Sequence, residues 1–497
     1  MVLAAALRVW ELDHHLPYLP VPGEAKSLRV TLRMLTEGTL NPSFFHYPSL
    51  PFYAWLVSLW AWVEAALWAD VFTQTTDVGA VRRIALGAAR ADQPGIVLVV
   101  RGWSVALGLT AVWATQRTGR VLFGRQGAGL CAGLLLALSP LHVVASHLAR
   151  HDIWVVGFVA LSLWASARVW RWGLPRDSLL AGVAAGLATA SKYNGWVALV
   201  GLVAAHLVRD GRRGLTTRSL WRGVGAAGAA FLVTSPYVLL DFHTFWADFS
   251  YELAHYASDH AGRDDLGRAW YFTRLLTQET TTVVLAAGGV LVALWSRRPA
   301  LLLTLAFPGI YLGLILPFEV QVERLLLPLL PPLALLGGWS LSTLWGQAAE
   351  LPARWRRVLR LGLALTLWVP AARVHDEVTA LARQDARDTS REWIRRNLPR
   401  GAHIALESYG PFISGHRFQV EQIDAGRGFS ALWVHRPGWY RDQGFDYLVV
   451  SSGMSGRYLA GRGPSRAASR YRALFEEYPL VQEFHEGGRS VWIYGVE

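Results

Sequence analysis

The sequence predicts a polytopic α-helical membrane protein of about 11 transmembrane helices, ending in a small α/β domain. Three observations carry that prediction. Hydrophobic residues make up 53% of the 497 and charged residues only 17%, poorer in charge than ordinary soluble domains. Apolar runs long enough to cross a hydrocarbon core recur along most of the chain. The loops between them alternate between arginine-rich and mixed charge, as the retention of Lys and Arg on the cytoplasmic side requires.

The first apolar run, Met1 to Trp10, is too short to span unaided. Either it is truncated, or it borrows Leu12 and snorkelling flanks. No cleavage site of small residues follows, so it does not read as a signal peptide. Leu50 to Phe72 is long enough to span, yet a crossing there would reverse the charge order of everything downstream. It is expected to lie at the outer interface, within an outer loop of about residues 13–94 that also holds Arg82, Arg83 and Arg90. Spanning runs then follow at about 95–116, 126–146, 153–170, 178–191, 195–208, 224–240, 277–295, 300–317, 325–346 and 361–374.

One set of connecting loops holds Arg117, Arg120 and Arg125, then Arg168, Arg171 and Arg176, then Arg209, Arg212, Arg213, Arg218 and Arg222. It continues with Arg297 and Arg298, and with Arg354, Arg356, Arg357 and Arg360. The other set, longer in total, holds only Arg150, Lys192, Arg263, Arg268, Arg274 and Arg324, mixed with acids and histidines. The first set is read as cytoplasmic. The second set then shares the outer face, and the same parity exports the soluble domain, residues 376–497, beyond a transmembrane domain of residues 1–375.

In the soluble part, Asp388 to Asn397 reads as a short amphipathic helix with Thr389 or Ser390 near its cap and Leu398-Pro399 as its stop. Apolar runs at His403–Leu406, Tyr447–Val450 and Val491–Tyr494 read as strands, and Ala467 to Tyr478 as a helix. No nucleotide-binding glycine pattern occurs there, so an accessory role is expected: holding an acceptor or shaping an entrance.

Composition also excludes. The net charge of +12 is mostly the sum of loop arginines, which argues membrane topology and contact with anionic lipids, not nucleic-acid binding. Cys131 is the only cysteine, so an intramolecular disulfide and a cysteine-based metal site are ruled out. His14, His15, His46, His147, His151, His255 and His260 show no diagnostic ligand spacing. No cofactor is firmly implied, no metal ligand is assigned, and a divalent metal is left open.

Chemistry is expected at the outer ends of the helices. His147 and Asp152 flank the turn in SHLARHDIW; Lys192, Tyr193 and Asn194 interrupt an apolar run; Glu323 and Arg324 open LLLPLLPPLALL. Ionisable groups at such depth are costly and mark functional sites, although a snorkelling interfacial residue would look similar singly. The first outer loop adds Glu11, Asp13, His14, His15, Glu24 and Lys26, then His46 and Tyr47 in a stretch rich in proline and aromatics. Lys26 and Lys192 are the only lysines beside 46 arginines, so a compact ammonium with a tunable pKa is retained at two of these polar islands.

These segments resemble the GT-C glycosyltransferases related to bacterial protein O-mannosyltransferases and aminoarabinose transferases, which use polyprenyl-phosphate sugars. The resemblance rests on LDHHLPYLPVPGEAKSLRVTLRMLTEGTLNPSFFHYPSLPFY, SPLHVVASHLARHDIW, ATASKYNGW, TSPYVLLDFHTFWADFSYELAHY and VERLLLPLLP, taken as an ordered set. It implies inverting transfer at the periplasmic face of the cytoplasmic membrane, from a lipid-phosphate sugar to a hydroxyl of a lipid, glycan or protein. The family's first-loop Asp-Glu pair falls on Gly23-Glu24, so the Asp that would accept the acceptor's proton is missing. A general base contributes 10² to 10⁴ in rate, or roughly 3 to 5 kcal/mol of barrier. Glu24 is the first candidate to replace it, with Asp13 or Glu11 folding back as the alternative; a helix-start carboxylate serving only the helix dipole is the structural reading of Glu24. Asp152 matches the second acidic motif and is expected to orient the acceptor or Lys192. Arg324, whose fork holds two phosphate oxygens, is expected on the leaving phosphate, with Lys192 as a second cation there. Tyr193 and Asn194 are expected to hydrogen-bond the sugar, and His46, Tyr47 and His147 to line its pocket.

Two other readings stay open. A transporter or lipid flippase would also use polar islands, but tends to place them at the midplane of broken helices in repeated halves. A relative that binds a lipid-linked sugar without catalysis is motivated by Gly23.

Overall fold

The computed structural model describes residues 1–16, 19, 21–68, 94–257, 267–295, 299–413, 415–426, 429–460 and 464–496. Arg82, Arg83, Arg90, Asp259, His260, Arg263, Arg297 and Arg298 lie outside the described residues.

Three helices among these are long and apolar enough to cross a membrane: Pro94–Phe123, His151–Trp172 and the Glu323–Glu350 segment. Two bent pairs pass the same test jointly, and Ala300–Ile315 is a shorter apolar helix. The remaining inner helices, such as Pro175–Ser191 and Arg218–Thr234, reach 17 residues each. These two pack backbone to backbone, because a Cβ at Gly182 would collide with the carbonyl of Gly223, and one at Gly186 with that of Ala227. Small residues allow such approach where lipid provides no hydrophobic drive between helices.

Several runs expected as single spans are broken, and the breaks build the site. The 126–146 run is two helices, Gln126–Ala137 and Pro140–Ser146, meeting at 62°. Ser139 caps the second by accepting from the His142 amide at 3.3 Å, and Pro140 occupies the first turn, where its missing N–H costs nothing. Ala269–Gln278 and Thr280–Trp295 meet at 107°, so the 277–295 run turns sharply at Glu279. The 224–240 run stops at Thr234, before Ser235-Pro236, and resumes as Tyr237–Leu240; a residue before proline is pushed out of the helical region. The last run divides into Ala353–Thr366 and Trp368–Ala382. Arg354, Arg356, Arg357 and Arg360 therefore sit on a helix and not in a loop.

The C-terminal part is a five-stranded sheet of order β2-β1-β3-β5-β4. Its strands are β1 His403–Leu406, β2 Gln419–Gln422, β3 Tyr447–Ser451, β4 Leu480–Glu486 and β5 Arg489–Gly495. β1 pairs parallel with β2 and β3, and β5 antiparallel with β3 and β4. Ile404, Leu406, Val449, Val491 and Ile493 pack under the Ala386–Asn397 helix through Ile394. Ala405, Leu448, Val450 and Tyr494 cover the opposite face with Met454 and Tyr471 from two further helices. The Ala386–Asn397 helix begins earlier than expected: its cap is Asp385, accepting from the Arg387 amide at 2.8 Å, not Thr389 or Ser390.

Candidate functional site

The broken helices open one cavity of about 450 Å³. Arg150, Asp152, Arg274, Glu323, Arg324 and Glu377 provide its charged lining, with Leu148, Trp270 and Leu327 among the apolar part. Asp152 stands in the first turn of the His151–Trp172 helix. It accepts from Lys192 Nζ at 2.8 Å, and Arg150 Nη2 lies 3.3 Å from its other oxygen. Asp152 and Lys192 are both buried, so each charge is held by the other in a setting where an unpaired ion would be expensive. Glu323 pairs with Arg274 across the cavity. Arg324 lies against the Tyr256 hydroxyl, with its Nε buried and without a hydrogen-bond partner.

Residues flanking Asp152 tie the first loop to this chamber. Tyr47 stacks on His151 at 4.5 Å between ring centroids, and is close enough to Arg324, Lys192 and Asp152 to feel their charges. Tyr193 donates to the Phe45 carbonyl at 2.9 Å. Asn194 donates to Tyr311 Oη at 2.9 Å, while its own Oδ1 is buried without a partner. His46 does not enter the cavity lining; its ring bonds Glu252 at 2.8 Å and lies 3.7 Å from Asp248, clamping the loop to the Phe242–Ala257 helix. Lys26 sits 4.7 Å above the Phe44 ring on the same side.

Besides His46, two expectations are corrected. Glu24 does not face the cavity. It is fully buried and clamped by Arg101, with Nε on Oε1 at 2.8 Å and Nη2 on Oε2 at 3.0 Å, and it accepts the Ala149 amide at 2.9 Å. Burial alone would raise its carboxyl pKa, but the guanidinium charge and these three hydrogen bonds outweigh it and hold the pKa below the usual range. A carboxylate so held is a poor proton acceptor. His147 is likewise not part of the lining, because both ring nitrogens are engaged, one with the Val143 carbonyl at 2.9 Å and the other with that of Trp10 at 2.8 Å. It fastens the first helix to the turn before Asp152.

Arg101 was not singled out as a site residue, although a lone arginine inside an apolar run is the signal that marks it. Its guanidinium also donates to the carbonyls of Leu12 at 2.6 Å and His14 at 3.1 Å. Burial first, and the Arg101 charge second, bring the His14 imidazole down to about 4, so that ring is neutral. Gly23 points its missing side chain at Arg150, whose Nε would lie 3.4 Å from an added Cβ.

For a cation, His15, Asp385 and Asp388 place ligand atoms within 4.8 Å of one another. Asp385 already accepts from Arg387, and Asp388 from Arg391 and His15. The His15–Asp388 pair joins the first loop to the C-terminal domain.

Residues 96–239 match the family described as dolichyl-phosphate-mannose-protein mannosyltransferase. No curated protein matches the chain at a significant level. Among solved structures, ArnT from Cupriavidus metallidurans bound to undecaprenyl phosphate is similar over 99% of this chain and 96% of that one, with a TM-score of 0.59 at 16% identity. The Archaeoglobus fulgidus oligosaccharyltransferase in the apo form is similar over 96% and 72%, with a TM-score of 0.61 at 12% identity. The archaeal oligosaccharyltransferase AglB from the same organism, in complex with an inhibitory peptide and a dolichol-phosphate, gives 99%, 73% and 0.58 at 11%. The chain is a membrane protein of the GT-C fold, similar to the ArnT structure over nearly its whole length, and its residues 96–239 match the mannosyltransferase family.

Proposed function

We propose that the protein is an integral-membrane glycosyltransferase that moves a sugar from a polyprenyl-phosphate donor to an acceptor hydroxyl, with inversion, at the periplasmic face of the bacterial cytoplasmic membrane. The observation that carries this reading is the convergence of Arg150, Arg274 and Arg324 on one cavity whose wall also holds Asp152, with Lys192 bonded to Asp152 from behind that wall. Such a chamber suits a phosphate whose charge grows as the sugar leaves. When the acceptor oxygen attacks the anomeric carbon, the C–O bond to phosphate breaks and its electron pair stays on the phosphate. Arg324, with an unpartnered Nε, is the group assigned to that oxygen. Asp152 keeps Lys192 in place as a second cation beside it. Asn194 Oδ1, buried and unpartnered, is assigned to a sugar hydroxyl, and Tyr47, stacked on His151, and Tyr193, bonded to the Phe45 carbonyl, to the support behind the pocket. The undecaprenyl phosphate and dolichol-phosphate in the similar structures support a lipid phosphate as the bound moiety.

The test is transfer by purified protein in liposomes, from a labelled polyprenyl-phosphate sugar to a hydroxyl acceptor. Activity from a nucleotide sugar alone would overturn the reading. A second reading, a protein that binds the lipid-linked sugar without turning it over, is favoured by the Glu24–Arg101 clamp together with Gly23; saturable donor binding with no transfer would establish it.

A further inference from the structure

We infer that Glu377 is the acceptor's proton acceptor, taking the place of the carboxylate that Gly23 lacks. Among the described residues, three carboxylates line the cavity. Asp152 is held by Lys192 and Arg150, and Glu323 by Arg274. Glu377 is exposed and, among the described residues, forms no ion pair. Among the described residues it is therefore the one lining acid not already committed to a cation.

Its position is fixed by the helix that bears it. Trp368–Ala382 buries Val374 and Val378 against Val143 and Leu7, which sets the rotation of the helix. Arg373 donates to the Thr277 carbonyl and, at 3.1 Å, to Thr280 Oγ1, and His375 stacks on Trp10 at 5.4 Å. The helix is thus pinned to both walls of the cavity, the Pro140–Ser146 helix and the break at Glu279, and Glu377 projects between them. On the first-loop side, Glu24 is turned inward to Arg101, and the Arg150 guanidinium lies beside Gly23, its Nε 3.4 Å from where a Cβ would stand. In the step, the acceptor O–H bond breaks as its oxygen bonds the anomeric carbon, the proton passes to a Glu377 oxygen, and the sugar–phosphate bond releases its electron pair to the phosphate.

This inference rests on the transferase reading above, and the experiment separates the two. Full-length protein in liposomes is given tritiated undecaprenyl-phosphate mannose, glucose or 4-aminoarabinose with octyl mannoside as the hydroxyl acceptor. Wild-type protein inert to all three donors overturns the transferase reading, and this inference with it. Where wild type transfers, Glu377→Gln is expected to lower kcat about 100-fold or more with the donor KM changed less than about threefold. Glu377→Asp is expected to retain part of the rate, and formate to restore Glu377→Ala at least about tenfold. The neighbouring exposed acid gives the control: Asp376→Asn changes the same charge on the same helix and should behave as wild type. A Glu377→Gln variant within about threefold of wild type, or a loss that falls on KM and is not rescued by formate, overturns the role of Glu377 and leaves the transferase reading standing.

Discussion

Arg324 and Glu24 show how one kind of residue, an ion at a helix mouth, divides into two jobs. Arg324 reaches the cavity with donor capacity unspent, so Arg324→Ala is expected to slow single-turnover transfer about 100- to 1000-fold, the scale of losing one preorganised donor to a developing anion. Arg324→Lys keeps a charge but loses the fork, and should recover only part of that. Glu24 is spent entirely on Arg101. Removing one partner of a buried ion pair leaves the other uncompensated, so Glu24→Gln is expected to cost about 3 to 5 kcal/mol of stability, read as a lower unfolding temperature in detergent. Activity per folded molecule should change little; a large loss of kcat at unchanged stability would return Glu24 to the chemistry. Neither outcome could be read from spacing, because Glu24 and Arg101 are far apart in sequence and meet only through the fold.

At the scale of elements, two features make their own predictions. The Pro175–Ser191 and Arg218–Thr234 helices touch through glycine, so Gly182→Val must push them apart; loss of folded protein on gel filtration is expected, whereas Gly102→Ala, with open space around its Cβ, should be tolerated. In the C-terminal domain, Glu407 follows β1 and is buried against the Tyr471 hydroxyl at 2.6 Å and the Ser451 amide at 2.6 Å. Burial pushes its carboxyl up to about 7 from an ordinary 4.5. Its folded state therefore keeps a proton that the unfolded chain has lost. The resulting stability is fully present below about pH 4.5 and is lost as pH rises through about 7, on the order of 3 kcal/mol in all. Hydrogen exchange of the β3 amides across pH 5 to 8, corrected for intrinsic rates, should show this slope in wild type and not in Glu407→Gln. The strands β1, β3 and β5 are legible in sequence because both faces of the sheet are covered and their runs are nearly all apolar. Edge strands β2 and β4 are not: QVEQ and LVQEFHE are mostly exposed, and pairing, not burial, makes them strands.

For the whole molecule, the functional proposal requires that Asp152, Lys192 and Arg324 share one side of the membrane. The ion pair between Asp152 and Lys192, and the single cavity lined by Asp152 and Arg324, bring the three helix ends together. Single cysteines in a Cys131→Ala background, at the turn before Arg150 and beside Arg324, should both react with an impermeant maleimide added outside, and one at Arg212 should not; labelling split between the leaflets would remove the proposal. The sequence by itself determined that the chain is a membrane protein, where its apolar runs lie, and which polar islands interrupt them, since those follow from composition along a line. Only the tertiary structure decided which islands meet. Helix breaks at Ser139 and Glu279 bend the runs toward one cavity, the Arg101 clamp withdraws Glu24 from it, and the Trp368–Ala382 helix brings in Glu377, because contacts between segments distant in the chain are set by packing and charge pairing that no local pattern encodes.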